Sequence, residues 1–425
     1  MATGAAGPKG PTLPPWFTGT PTPNPGSILF RNLRRRSGTF DYSKLLATLP
    51  DAPEVRQEIF INNYALIREV FAVPLPGSAP FGTAKYKWAS AAFGETGLCD
   101  DLPDPSECEL VYYVAEMSSL PGPVRDGWLS GLSQVSRNLI QRRDDQGVCC
   151  PTQRFLGFDQ RNVNQGLLVA RGPAAFEVVA GAFDPGATKR AVEGCNACPP
   201  PVVSQYGQAS LYRWGDGNVN GRRLFQPPAF DWLGRGSVLW VQSGSVVRTL
   251  DISRMQQVVD TTEGRARRVA DLDDFQLLAQ AMSELGAFYM LLSDVPQSLA
   301  DFKNGASRNL SGDQRTLTLR LLEAWPLLVS YRALATGLGW DENGFYLALA
   351  LVHEDDADTL DNRDLFRDRL LQAYSFTTGQ PWKQDIVRVD DGVQGRVYMA
   401  KLYGLAIAKR WVDWRERGDP LVLHE

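Results

Sequence analysis

The residues best placed to do chemistry are six cysteines, all between Cys99 and Cys198. Cys99 and Cys108 bracket an acidic, proline-containing stretch. The vicinal pair Cys149-Cys150 and the Cys195-Asn-Ala-Cys198 loop form a second group. An even number at close spacing predicts disulfides, which form and persist in oxidising compartments. The expected pairing is Cys99 with Cys108, and 149/150 across to 195/198, because adjacent cysteines rarely join each other. The alternative chemistry is a four-cysteine zinc site at Cys149, Cys150, Cys195 and Cys198. Structural zinc normally uses two spaced knuckles, and only one is present. A thioredoxin-like role for the second loop is disfavoured, because Pro-Pro-Pro follows it and no helix start activates a thiol there.

Two other clusters carry oxygen or imidazole ligands. Asp216-Gly217-Asn218-Val219-Asn220-Gly221 resembles the opening of an EF-hand loop. Asp216, Asn218 and Asn220 at alternate positions can turn three oxygens toward one Ca²⁺, and the sixth-position glycine permits the sharp turn. The twelfth position, where a bidentate glutamate belongs, is Pro227, and a plain Gly/Asn turn explains the same residues. The second cluster is His353-Glu354-Asp355-Asp356, with Asp358, Asp361 and Asp364 beyond it. It follows a strand pattern and enters a helix. Acids in a first helical turn complement the helix dipole. Read as a site instead, His353 with Glu354 would serve a metal-assisted hydrolase over 353–364. The chain has two histidines, His353 and His424, so any Ser-His or Cys-His catalysis would run through the first. No phosphate-binding glycine loop and no nucleophile elbow occurs, and no residue is assigned a catalytic role.

Size and charge bound the rest. A 425-residue chain of net charge −4 is long for one core and predicts more than one domain. Its acidic balance does not favour nucleic acid. Residues 1–40 contain five Lys or Arg and no acid, with seven prolines before residue 28. That composition predicts a disordered, basic Pro/Gly/Thr-rich tether. No window is long and apolar enough for a spanning helix, and no export signal is visible at Met1–Gly10.

The elements that must position these residues read as α+β, with two domains of mixed, mainly antiparallel sheet and packed helices. The expected division is a tether over 1–40, a domain over 41–255 holding every cysteine, and a second over 256–425. Helices are predicted over Tyr42–Leu49, from Pro53 to about Phe71, and over Arg125–Gln141, Pro185–Glu193, Asp273–Leu285 and Asp356–Tyr374. Strands are predicted at Leu110–Glu116, Phe176–Phe183, Ala287–Leu292 and Pro326–Leu338. Hairpins are predicted at Ser237–Leu250, at the Asp-Glu-Asn-Gly turn before Phe345–Val352, and around Asp390-Asp391-Gly392. The halves share a rough alternation of elements without a repeated motif.

The Pro/Thr stretch Pro21–Gly26 ahead of a cysteine-stapled body resembles the mature part of bacterial exported lipoproteins. That resemblance implies an extracytoplasmic protein, in the cell envelope or secreted, held at a membrane surface by its N-terminal tether. The expected function is non-enzymatic: binding a protein partner or scaffolding an envelope assembly. The alternatives are the hydrolase above and a small-ligand-binding protein with an interdomain cleft. No cofactor is expected apart from Ca²⁺ at 216–220.

Overall fold

The fold is that of a computed structural model, which describes residues 41–66, 163–169, 176–194, 200–214, 237–304, 325–374, 381–404 and 420–425, and a few single positions between them. The six cysteines, the calcium-loop residues Asp216, Asn218 and Asn220, the tether, and the expected elements at Leu110–Glu116 and Arg125–Gln141 lie outside the described residues.

Twelve strands form one antiparallel sheet in the order β11-β12-β10-β9-β8-β1-β2-β3-β7-β6-β5-β4. In chain order they are β1 (Ile59–Asn63), β2 (Val163–Val169), β3 (Phe176–Gly181), β4 (Val202–Tyr206), β5 (Ala209–Trp214), β6 (Ser237–Gln242), β7 (Ser245–Thr249), β8 (Ala287–Ser293), β9 (Ala333–Asp341), β10 (Gly344–Val352), β11 (Ile386–Gln394) and β12 (Val397–Gly404). The helices are α1 (Ser43–Leu46), α2 (Pro53–Arg56), α3 (Pro185–Glu193), α4 (Ile252–Thr262), α5 (Asp273–Leu285), α6 (Leu299–Asn304), α7 (Asp356–Gln372) and α8 (Trp382–Asp385). This is an α+β fold, as expected. The expected domain junction at 255/256 falls inside α4.

Alternate residues of the central strands enter separate cores, as the two-residue period of a strand requires. Along β10, Tyr346, Ala348, Ala350 and Val352 join one core, and Leu347, Leu349 and Leu351 the other. The first core holds α1, α2, α4 and α5, through Leu46, Val55, Val258, Leu278 and Met282 among others. The second holds α3, α7, α8 and the C-terminal Leu421–Leu423, through Val192, Phe366, Leu370 and Trp382. Sheet between two helical layers explains why β10 and β12 are buried on both faces.

The sheet is a duplication. In the second half, β8 is followed by the hairpin β9–β10, then α7, then the hairpin β11–β12, whose last strand returns to β10. In the first half, β1 is followed by the hairpin β2–β3, α3, and the hairpin β6–β7, whose last strand returns to β3. The register repeats with the order. Ile61↔Leu167↔Val178↔Val247 in one half corresponds to Leu292↔Ala335↔Ala350↔Met399 in the other. All eight side chains face the same core. The halves meet where β1 pairs with β8, and Phe60 lies opposite Leu291. Hairpin β4–β5 is an addition to the first half.

Among the expected elements, one helix and one turn need correction here. The helix expected from Pro53 to Phe71 is the single turn α2 followed by β1. Ile59, Phe60 and Ile61 are buried one after another between β2 and β8. A run buried on both faces suits a central strand, and β-branched and aromatic residues favour it. The last hairpin turns at Gly395-Arg396, with Gly395 at φ 54°, not at Asp390-Asp391-Gly392. Those aspartates stay in β11 because cations hold them. Arg388 Nε donates to Asp390 at 2.7 Å, and Arg367 of α7 reaches Asp391 through Nε at 2.9 Å and Nη2 at 2.6 Å.

Glycines at β9 set how closely the hairpin packs. A Cβ on Gly339 would lie 2.3 Å from the ring and hydroxyl of Tyr346. That ring cannot retreat, because its hydroxyl donates to Leu285 O at 2.5 Å and Lys401 Nζ sits 4.1 Å from its centroid. Gly339→Ala is therefore expected to destabilise the protein by about 1–3 kcal/mol, the usual range for overpacking. Urea unfolding checks this, and a midpoint equal to wild type would show that the hairpin yields.

Candidate functional site

The acidic patch starts where β10 ends. His353 is fully buried. Asn362 of α7 places its amide Nδ2 at 2.7 Å from His353 Nε2, and His353 Nδ1 lies 3.4 Å from Arg396 O. The amide is oriented by its other contacts: Oδ1 accepts from Val329 N at 2.5 Å, and Nδ2 also donates to Val329 O at 2.7 Å. Nε2 is thus an acceptor, and the ring proton resides on Nδ1. Burial pushes the imidazole pKa down to about 4, against the backbone carbonyl of Arg396 and the charge of Asp355. His353 is neutral at physiological pH.

Its acidic neighbours do other work. Glu354 is exposed and pairs with Arg332 at 2.9 Å. Asp355 caps α7, accepting from Ala357 N at 2.9 Å and Asp358 N at 3.0 Å, as an N-cap does. Asp356, Asp361 and Asp364 are exposed along the helix. The acids therefore lie along a helix start and do not converge on the imidazole. Among the described residues no group of three or more His, Cys, Asp or Glu is placed to hold a metal ion.

A buried charged cluster elsewhere was not expected from the sequence. Asp341 ends β9, and Lys401 and Tyr403 lie on β12. Asp341 Oδ2 accepts from Lys401 Nζ at 3.0 Å and from Tyr403 hydroxyl at 2.8 Å, while its Oδ1 accepts from Asn343 N at 2.9 Å. Burial alone would raise the Asp341 carboxyl, but the Lys401 cation and these donors hold it below its ordinary value. Burial lowers Lys401, opposed by Asp341. Burial and the Asp341 charge raise Tyr403. The sequence signal was a lone lysine in the otherwise uncharged strand Val397–Gly404. Every named polar atom of the trio is used internally, so the cluster ties β9 to β12 beneath the end of α5. A second buried pair, Glu177 with Arg248 at 3.5 Å, joins directly opposed residues of β3 and β7.

No protein-family model matches the chain, and no curated protein matches it. Among solved structures it is similar to TP0453, a Treponema protein. Crystal form I shares 7% identity over 86% of this chain and 95% of that chain, with a TM-score of 0.33. Crystal form III shares 9% identity over 67% and 90%, with a TM-score of 0.31. Likeness at this level carries no argument about function.

The β4 edge of the sheet exposes apolar side chains. Val202 is 57% exposed and Val203 51%. β4 contains no charged residue and pairs, among the described strands, with β5 alone. The two-residue turn Gly207-Gln208 joins them, so Tyr206 and Ala209 form a hydrogen-bonded pair. Alternation then turns the backbone of Val203 and Gln205 outward. The opposite edge, β11, is guarded by Arg388, Asp390 and Asp391 and by Arg367 from α7.

Among the described residues no helix is long and apolar enough to cross a membrane.

Proposed function

We propose that this chain is a non-enzymatic, extracytoplasmic protein that binds a protein partner at the cell envelope, with its basic N-terminal tether directed at the membrane surface. The observation that carries the reading is the β4 edge. Sheet proteins ordinarily protect an edge with charge, proline or a covering element. β11 has charged protection beside its exposed Val387, whereas β4 carries neither charge nor proline between Val202 and Tyr206, with Pro199-Pro200-Pro201 just ahead of it and Asp260 and Arg265 reaching only Tyr206. An edge of this kind accepts an extended polypeptide as an added strand, with main-chain hydrogen bonds supplying the affinity. The partner is therefore an uncharged extended segment of another protein.

The test places a photo-crosslinking amino acid at Gln205 in cells that produce the protein. A discrete adduct with one envelope protein is expected, and Val203→Pro should abolish it. Proline there removes one outward N–H and leaves the β4–β5 ladder intact. The melting temperature of V203P should stay within a degree or two of wild type. Absence of an adduct, or an adduct indifferent to V203P, would sink the reading.

A further inference from the structure

The chain's two histidines are buried on opposite sides of one short segment, Leu328-Val329. From one side, His353 bonds Asn362, and Asn362 holds both backbone groups of Val329. From the other side the C-terminal residues run alongside. Leu328 N donates to Leu423 O at 3.2 Å, and Glu425 N donates to Leu328 O at 3.1 Å. His424 lies between Ser298 and Leu328 in parallel bridges, its ring edge-on to Tyr331 with centroids 5.1 Å apart. Neither ring nitrogen of His424 has a hydrogen-bond partner.

We infer that His353, Asn362 and His424 form an acid-sensitive latch, in which protonation of the two imidazoles releases residues 328–329 and the C-terminal residues 421–425 from the body. The coupling on the His353 side is a matter of donors and acceptors. A proton on Nε2 would face the Asn362 amide donors at 2.7 Å, where a donor meets a donor. Rotating the amide to offer Oδ1 would turn Nδ2 toward Val329 N and Oδ1 away from it, breaking both bonds to Val329. Protonation and attachment of Val329 therefore exclude each other. On the His424 side burial opposes an added charge, while the backbone of Glu425 and the charges of Asp301 and Glu425 favour it, and burial is the larger effect, so the charged ring gains by moving toward water.

Charged groups flank both rings, and burial outweighs them. Around His353 they are Asp355, engaged in capping α7, and Arg396, whose Nη1 donates to His353 O at 3.3 Å and which pairs with Asp273. The Arg332 pairs with Asp274 and Glu354 lie beyond. Around His424 they are Asp301 of α6 and Glu425, with the Tyr331 hydroxyl committed to Val422 O at 3.0 Å. Arg369 of α7 adds a cation to this side through its bond to Leu421 O at 2.8 Å. Opening uncovers Leu328, Leu421 and Leu423, all buried in the closed state.

Amide hydrogen exchange of the full chain at pH 7.5 and 5.5, corrected for intrinsic rates, tests the latch. His353, freed to titrate near pH 6.5, favours opening by about tenfold between these pH values, and His424 acts in the same direction. Protection at Leu328, Val329, His424 and Glu425 should fall by at least that factor, while amides of α5 hold. His353→Gln with His424→Leu should flatten the response, since glutamine still offers Asn362 an acceptor. Unchanged protection, a fall shared equally by α5, or the same fall in the double variant would each overturn the inference. Should that variant not fold, the two imidazole C–H signals of the wild type decide it. Both titrating well below pH 6.5 supports the latch, and either titrating near 6.5 overturns it.

Discussion

Asp341→Ala is expected to destabilise the fold by about 3–5 kcal/mol, the range found when one partner of a buried ion pair is removed. The substitution strands Lys401, whose side chain is 4% exposed, and takes the acceptor from the Tyr403 hydroxyl. The double variant Asp341→Ala, Lys401→Met should be more stable than the single one, because no buried charge is then left alone. The pH dependence has a definite sign. Without Asp341, burial acts on Lys401 against only the weaker charges of Glu342 and Asp390, and moves its pKa further below the unfolded value near 10.4. In the window between those two values the unfolded chain binds more protons, so stability rises with pH. The deficit of the single variant should therefore narrow from pH 7 toward pH 10. Urea unfolding across that range measures both effects. A deficit that stays constant with pH would mean that Lys401 finds another partner or reaches water.

Much of the scaffold was legible because local and global preferences agree there. α3 has Asp184 as a cap and Pro185 at its first turn, and α5 ends at Gly286 with φ 71°. The hairpins β6–β7 and β9–β10 carry their turn residues in the expected places. The expected strand from Pro326 begins instead at Ala333, because Pro326–Tyr331 is taken up by bonds to α7 and the C-terminal residues. β1 was illegible because a short apolar run buried on both faces has no period to read. The duplication shows in the sequence only as a rough alternation of elements, because what repeats is register and face. Ile61 corresponds to Leu292 and Val178 to Ala350, and any apolar residue of suitable size fills either position. At the candidate site, the sequence singled out His353 for its acidic neighbours. The residues that decide its state are Asn362 and Val329, which no spacing rule connects to it. Asp341 and Lys401 are sixty residues apart in the chain and met only through the β9-β10-β12 register.

The inward face of α7 shows most plainly why a charged helix was legible and its function was not. Asp356–Gln372 carries little apolar periodicity because part of its buried stripe is polar: Thr359, Asn362 and Arg369 alternate with Phe366 and Leu370. Arg369 is fully buried. Its Nε donates to Leu421 O at 2.8 Å and its Nη1 to Pro326 O at 2.6 Å, and the guanidinium lies 5.7 Å from the Trp325 ring centroid. One side chain thus joins the helix, the segment before β9 and the C-terminal segment. Arg369→Met should cost about 3–5 kcal/mol. Two buried carbonyls lose their donors at about 1–3 kcal/mol each, and the cation–ring contact contributes up to about 2. Arg369→Lys should recover less than half, since a single ammonium on a flexible stem cannot reproduce the fork that reaches both carbonyls. The loss should be local first: in Arg369→Met at pH 7.5, protection of Leu328 and Glu425 amides should drop before that of α5. Equal loss at all three places would mean that α7 packs as one cooperative unit with the sheet, and that the polar stripe is not what holds the two segments.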